Sequence, residues 1–225
     1  MNINEKEAKE LICEIGGRVY KNGYVVANDG NITVRLNEKE FLTSPPGVSK
    51  GYMTPDMIVK VNSAGTKLGG NLEPSSEVKV HLKIYEHRPD VNAVVHAHPP
   101  YATVFAITRM ALDKYIMPEA ICGLGAIPLV PYARPSTLEL ADSLIPYLSK
   151  YNCFLLENHG TVTVGPDLMT AYFKTEEFEY YAKILYLLMG LGGGKINELP
   201  RDKVEDLIKH FTAGNSFMHP GYVKF

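Results

Sequence analysis

The feature that most constrains this chain is the alternation of strand-type and helix-type segments along its length, with no repeat, low-complexity tract or linker between them. Asn4 and Glu7 have the spacing of a capping box, and Leu11, Ile12, Ile15 and Val19 follow at helical spacing. They predict an amphipathic first helix that stops near Gly23. Residues 32–35 and 40–43 read as a β-hairpin turning at Asn37 and Glu38, followed by a loop that holds Pro45, Pro46 and Gly47. A strand is predicted at 57–61, and a Ser cap in the run Pro74, Ser75, Ser76, Glu77 opens a helix to about His87. Strands at 93–98, 127–130, 154–156 and 161–164 then alternate with helices at 101–107, 136–148 (begun by Ser136) and 167–188. A last helix at 201–211 leads into a tail, from about residue 212, that is expected to be loosely held. Strands and helices thus alternate throughout the chain.

At 225 residues, with 45% hydrophobic and 21% charged side chains, the chain has the composition to bury one sizeable core, and a single domain is expected. The formal net charge of −2, with both signs interspersed, supplies no one-sided basic field, so nucleic acid is not an expected partner. The first ten residues are polar and acidic, unlike a signal peptide, and no apolar run reaches membrane-spanning length. The cytoplasm is the expected compartment. Cys13, Cys122 and Cys153 are odd in number and widely spaced, which fits buried free thiols better than a disulfide framework. The residues able to hold a metal are then His, Asp and Glu.

His96 and His98 end an apolar β-type run, and the period of two along a strand sends both imidazoles to one face. Their Cα atoms lie roughly 6.5–7 Å apart in a strand, a span two imidazoles close onto one zinc ion. Two histidines at an element's end are also ordinary solvent-facing residues, so the pair alone does not decide. His159 adds weight, because it sits at a strand junction before Gly160, inside an apolar stretch where an unpaired imidazole is costly. Three such ligands would leave zinc an open position for a substrate oxygen. His81 falls one helical turn after Glu77; an ordinary surface or core histidine is the simpler reading, a partner to the site the alternative. Glu77 itself, beside Ser75 and Ser76 at a helix start, reads more simply as a helix cap, with an acid/base near an anion pocket as the alternative.

In the order Gly30-Asn31-x-x-x-Arg35, Pro45-Pro46-Gly47, Pro74-Ser75-Ser76-Glu77, His96-Ala97-His98 and Asn158-His159-Gly160, the chain resembles the class II aldolase/adducin family. Within it, the L-fuculose-1-phosphate aldolases and the ribulose-phosphate 4-epimerases are most similar. The resemblance implies a single α/β layered domain with a mostly antiparallel central sheet flanked by helices, and homotetramers whose active sites lie between subunits near Met117. It implies one zinc per subunit on His96, His98 and His159, with Glu77 as catalytic residue and displaceable fourth ligand. Gly30, Asn31, Gly47, Ser75 and Ser76 fall where these aldolases hold a sugar phosphate, and Tyr222 falls where their tail supplies a proton donor. Glu77, where the epimerases carry Asp, points to aldol cleavage of a ketose 1-phosphate to dihydroxyacetone phosphate and an aldehyde. Decarboxylation, dehydration or 4-epimerisation of a sugar phosphate is the alternative, and a non-catalytic adducin-like interaction module a third. The chain departs from the family at Pro46, which offers neither hydroxyl nor N–H. Ser44, Ser49 and Lys50 are the compensating donors, unless the substrate carries a carboxylate or another polar terminus there.

Overall fold

A computed structural model describes residues 3–191 and 196–212. Helix α1, Glu5–Lys21, opens with the expected reciprocal cap: the Asn4 side chain accepts from Glu7 N, and the Glu7 carboxylate accepts from Asn4 N. Its buried stripe, Ala8, Ile12, Ile15, Gly16 and Val19, faces the sheet. The hairpin follows as β1, Asn31–Arg35, and β2, Glu40–Thr43; the next strands are β3, Val59–Asn62, and β4, Lys67–Gly69. Then come α2, Val78–His87; β5, Ala93–Ala97; α3, Pro100–Thr108; α4, Pro118–Gly123; and β6, Leu129–Val130. The chain continues through α5, Leu138–Leu148; β7, Cys153–Leu156; β8, Gly160–Gly165; α6, Leu168–Gly190; and α7, Arg201–Thr212.

The eight strands form one sheet in the order β4-β3-β2-β1-β5-β8-β7-β6, antiparallel except where β6 runs parallel to β7. The α/β layered architecture with a mostly antiparallel sheet is therefore as the resemblance implies. Alternation along the strands sorts side chains between two faces. On one face Val94, Phe154, Leu156, Val162 and Val164 pack with Val80, Ile84, Leu140 and Leu144 of α2 and α5. On the other, Ile32, Val34, Ala93, Val95 and Ala97 pack against α1 and the start of α6. A third apolar cluster joins α3 and α6 to Cys153 and Leu155.

Several boundaries differ from expectation for local reasons. Residue 57 ends a 3-10 turn, Pro55–Met57, because Pro55 fixes a turn before the strand begins at Val59. Helix α5 is capped by Thr137, whose side chain accepts from Leu140 N, while Ser136 sits at φ 65°. Helix α2 starts at Val78 with Glu77 at its cap position, and Ser75 Oγ accepts from Glu77 N at 3.3 Å.

Candidate metal centre

Strand register builds the site. In the β1–β5 pairing Asn31 lies opposite His96, and in the β5–β8 pairing Ala97 lies opposite Thr161, which carries His98 up to Gly160 and His159. His96 shares its face with Val94, the side covered by α2, and Glu77 at the start of that helix projects over the strand pair. His159 belongs to the three-residue loop between β7 and β8, where Asn158 adopts φ 56°, a left-handed conformation that Asn tolerates better than most residues. Gly160 is required by close approach: a Cβ there would come within 2.5 Å of Ala97 O and 2.6 Å of His98 Cδ2. Gly30 is constrained in the same way, with φ 73° and His96 O at 2.8 Å from a Cβ placed on it.

These elements bring the three histidines together. Their ring centroids are 4.6–5.0 Å apart, and one ligand nitrogen from each lies within 4.8 Å of the other two. His96 Nδ1 sits 2.9 Å from Thr161 O; a carbonyl only accepts, so the proton is on Nδ1 and Nε2 keeps its lone pair. His98 Nε2 is 3.1 Å from His96 Nε2. A tetrahedral zinc with bonds of ~2.0–2.1 Å spaces its nitrogens roughly 3.3 Å apart, so this donor set fits a zinc-sized dication. Burial, reinforced by the neighbouring imidazoles His159 and His98, pushes the His96 pKa well below its ordinary value. Burial and His98 lower His159 to about 4. Both rings are thus neutral at physiological pH, the form that ligates metal.

Glu77 Oε2 lies 3.6 Å from His96 Nε2 and Oε1 lies 4.0 Å from His159 Nε2. The same Oε2 accepts a hydrogen bond of 2.6 Å from Asn31 Nδ2, so the Asn31 amide is engaged with the carboxylate. Ser75 is buried against Glu77 N, and exposed Ser76 donates to Ser136 Oγ at 2.7 Å. Gly47 is in the left-handed region at φ 70°, with open space where a Cβ would stand. Two of the expected compensating donors face inward: buried Ser44 Oγ accepts from Ile32 N, and the buried Lys50 ammonium donates to Asn28 O and Val48 O. Burial lowers the Lys50 pKa to about 8. Residues with fixed backbone neighbours of this kind tie the Gly30 and Gly47 loops together instead of presenting charge to a ligand. Tyr222 lies outside the described residues.

Sequence reasoning did not single out Asp29, whose Oδ2 is 3.6 Å from His98 Nδ1, nor Thr33, which meets both His81 and the Tyr85 hydroxyl behind Glu77. Parity was the available signal for Thr33: it follows Asn31 by two in a strand and so shares its face.

A layered α/β domain with three convergent imidazoles beside a carboxylate defines the class of protein, and comparison with known sequences agrees. Residues 10–186 match the Class II Aldolase and Adducin N-terminal domain family. The chain is 32% identical over 209 residues to a 3-oxo-tetronate 4-phosphate decarboxylase of Pectobacterium atrosepticum, covering 91% of this chain and 94% of that one. It is 36% identical over 180 residues to an L-fuculose phosphate aldolase of Methanococcus maripaludis, covering 80% and 95%. A solved L-fuculose 1-phosphate aldolase superposes with a TM-score of 0.84 at 28% identity over 94% of this chain and 99% of that chain. The chain belongs to the class II aldolase and adducin family.

Proposed function

We propose that this protein is a zinc-dependent carbon–carbon lyase that produces the enediolate of dihydroxyacetone phosphate from a phosphorylated keto substrate. The observation that carries this reading is the convergence of His96, His98 and His159 beside the Glu77 carboxylate. The two activities borne by its relatives share that intermediate. Loss of C1 from a 3-oxo-tetronate 4-phosphate releases carbon dioxide and leaves the C1–C2 electron pair in a three-carbon enediolate; protonation at C2 gives dihydroxyacetone phosphate. Aldol cleavage of a ketose 1-phosphate leaves the same enediolate and releases an aldehyde.

Bound zinc, keeping its full dipositive charge among neutral imidazoles, supplies Lewis-acid stabilisation of the negative charge that develops on the substrate oxygens. The remaining work falls to the chain. Glu77, steadied by Asn31, moves the proton to and from the enediolate carbon. Gly30, Gly47, Ser75 and Ser76 are proposed to receive the substrate phosphate, and Tyr222 to exchange a proton with the leaving aldehyde in the aldol direction. Carbon dioxide is the leaving group we assign first, because the decarboxylase relative matches this chain nearly end to end. Aldol cleavage is the second reading, favoured by the higher identity to the archaeal aldolase.

Incubation of the zinc-loaded protein with each substrate class, scoring dihydroxyacetone phosphate against carbon dioxide and aldehyde, separates the two. Carbon dioxide release equal to triose phosphate is the expected result; aldehyde release selects the second reading, and no turnover of either substrate overturns both.

A further inference from the structure

Helix α2 lies on β1 through a polar seam inside an otherwise apolar interface. Asn31, Thr33 and Arg35 alternate onto one face of β1, and each meets a group of α2 or its cap. Asn31 Nδ2 donates to Glu77 Oε2, Thr33 Oγ1 sits 2.8 Å from His81 Nδ1 and 2.7 Å from Tyr85 OH, and Arg35 donates to Tyr85 O at 2.7 Å. Glu77, His81 and Tyr85 are spaced by four residues and so lie along one side of the helix.

The middle contact is fully enclosed: Thr33 and His81 are each 1% exposed and Tyr85 is 4% exposed. Thr33 Oγ1 bridges its two partners, within hydrogen-bond distance of both His81 Nδ1 and the Tyr85 hydroxyl. His81 lines a small cavity together with Asn31, Glu77, His96 and His159. A buried polar group left without its partner is costly, so the seam resists a shift of α2 along β1.

We propose that Thr33, His81 and Tyr85 are positioning residues that set where the Glu77 carboxylate stands relative to the three histidines. They touch neither substrate nor metal; they act by fixing the helix whose cap is Glu77. The proposal rests on the catalytic reading of Glu77 given above.

The test compares Thr33→Val, which keeps shape and removes the hydroxyl, with Thr33→Ser, which restores it, alongside Tyr85→Phe and Glu77→Gln. Two readouts are taken: exchange of the hydroxymethyl hydrogen of dihydroxyacetone phosphate in deuterium oxide by the zinc protein, and the visible spectrum of the cobalt-substituted protein, which reports the ligand set. Thr33→Val and Tyr85→Phe are expected to lower the maximal exchange rate ~10–100-fold, the scale on which outer-sphere partners act, with KM little changed. Their cobalt spectra shift toward that of Glu77→Gln, and Thr33→Ser returns both readouts to the parent. Parent-like exchange and spectra in Thr33→Val and Tyr85→Phe, with Glu77→Gln inactive, overturn the positioning role alone. Parent-like exchange in Glu77→Gln overturns the catalytic reading itself. Should Thr33→Val fail to fold, Tyr85→Phe carries the same comparison.

Discussion

At the residue scale, the site depends on His96 and His159, which burial keeps neutral, and on the Thr161 hydrogen bond that leaves His96 Nε2 free. His159→Ala and His96→Ala are each expected to abolish stoichiometric zinc in metal analysis of the purified protein, whereas Glu77→Gln keeps the metal and loses turnover. His81 makes a separate, measurable contribution. Burial holds its pKa near 3, below the ordinary 6.5, so its stabilising contribution is complete above pH 6.5 and is lost as pH falls toward 3, where the unfolded chain alone takes up the proton. His96 and His159 act in the same sense. Denaturant unfolding of metal-free protein between pH 6 and 4 is therefore expected to show a slope shallower by up to ~1.4 kcal/mol per pH unit in His81→Gln; an unchanged slope would argue that His81 titrates normally. The facing of His96 and His98 was legible in sequence because strand parity is local. The inward turn of Ser44 and Lys50 was not, since it depends on burial that only the packed loops create.

At the scale of elements, the cap at Asn4, the start of the long helix near Asp167 and the hairpin were readable because each signal lies within a few residues of its consequence. The six-residue α4 and three-residue β4 were not, being too short to show periodicity and held by tertiary packing. Nor does sequence reveal that β1 lies beside β5, the pairing that puts Asn31 next to His96. The β5–β8 contact makes a sharp prediction. Gly160→Ala places a methyl group against Ala97 O and the His98 ring, and the cost of overpacking is typically ~1–3 kcal/mol. Thermal unfolding should show that loss, and chelator competition should show weakened zinc binding; unaltered affinity would mean that His98 is not held by this close approach.

At the scale of the whole molecule, family membership accounts for the fold, but assembly is a matter of surface. Helix α6 exposes Phe173, Tyr180, Tyr186, Leu187 and Met189, large apolar groups of the kind that a subunit interface covers, and the family resemblance implies a homotetramer. Light scattering should report four chains per particle, and a monomer at working concentration would remove any role for Met117 or Tyr222 in a neighbouring site. Among the described residues no helix is long and apolar enough to cross a membrane. The central claim concerns a single ion. Diffraction from zinc-loaded crystals on either side of the zinc absorption edge should give one anomalous peak per chain, ~2.0–2.1 Å from a ring nitrogen of each of His96, His98 and His159. A catalytically active crystal form with no peak there, or with its zinc bound elsewhere, would contradict the account.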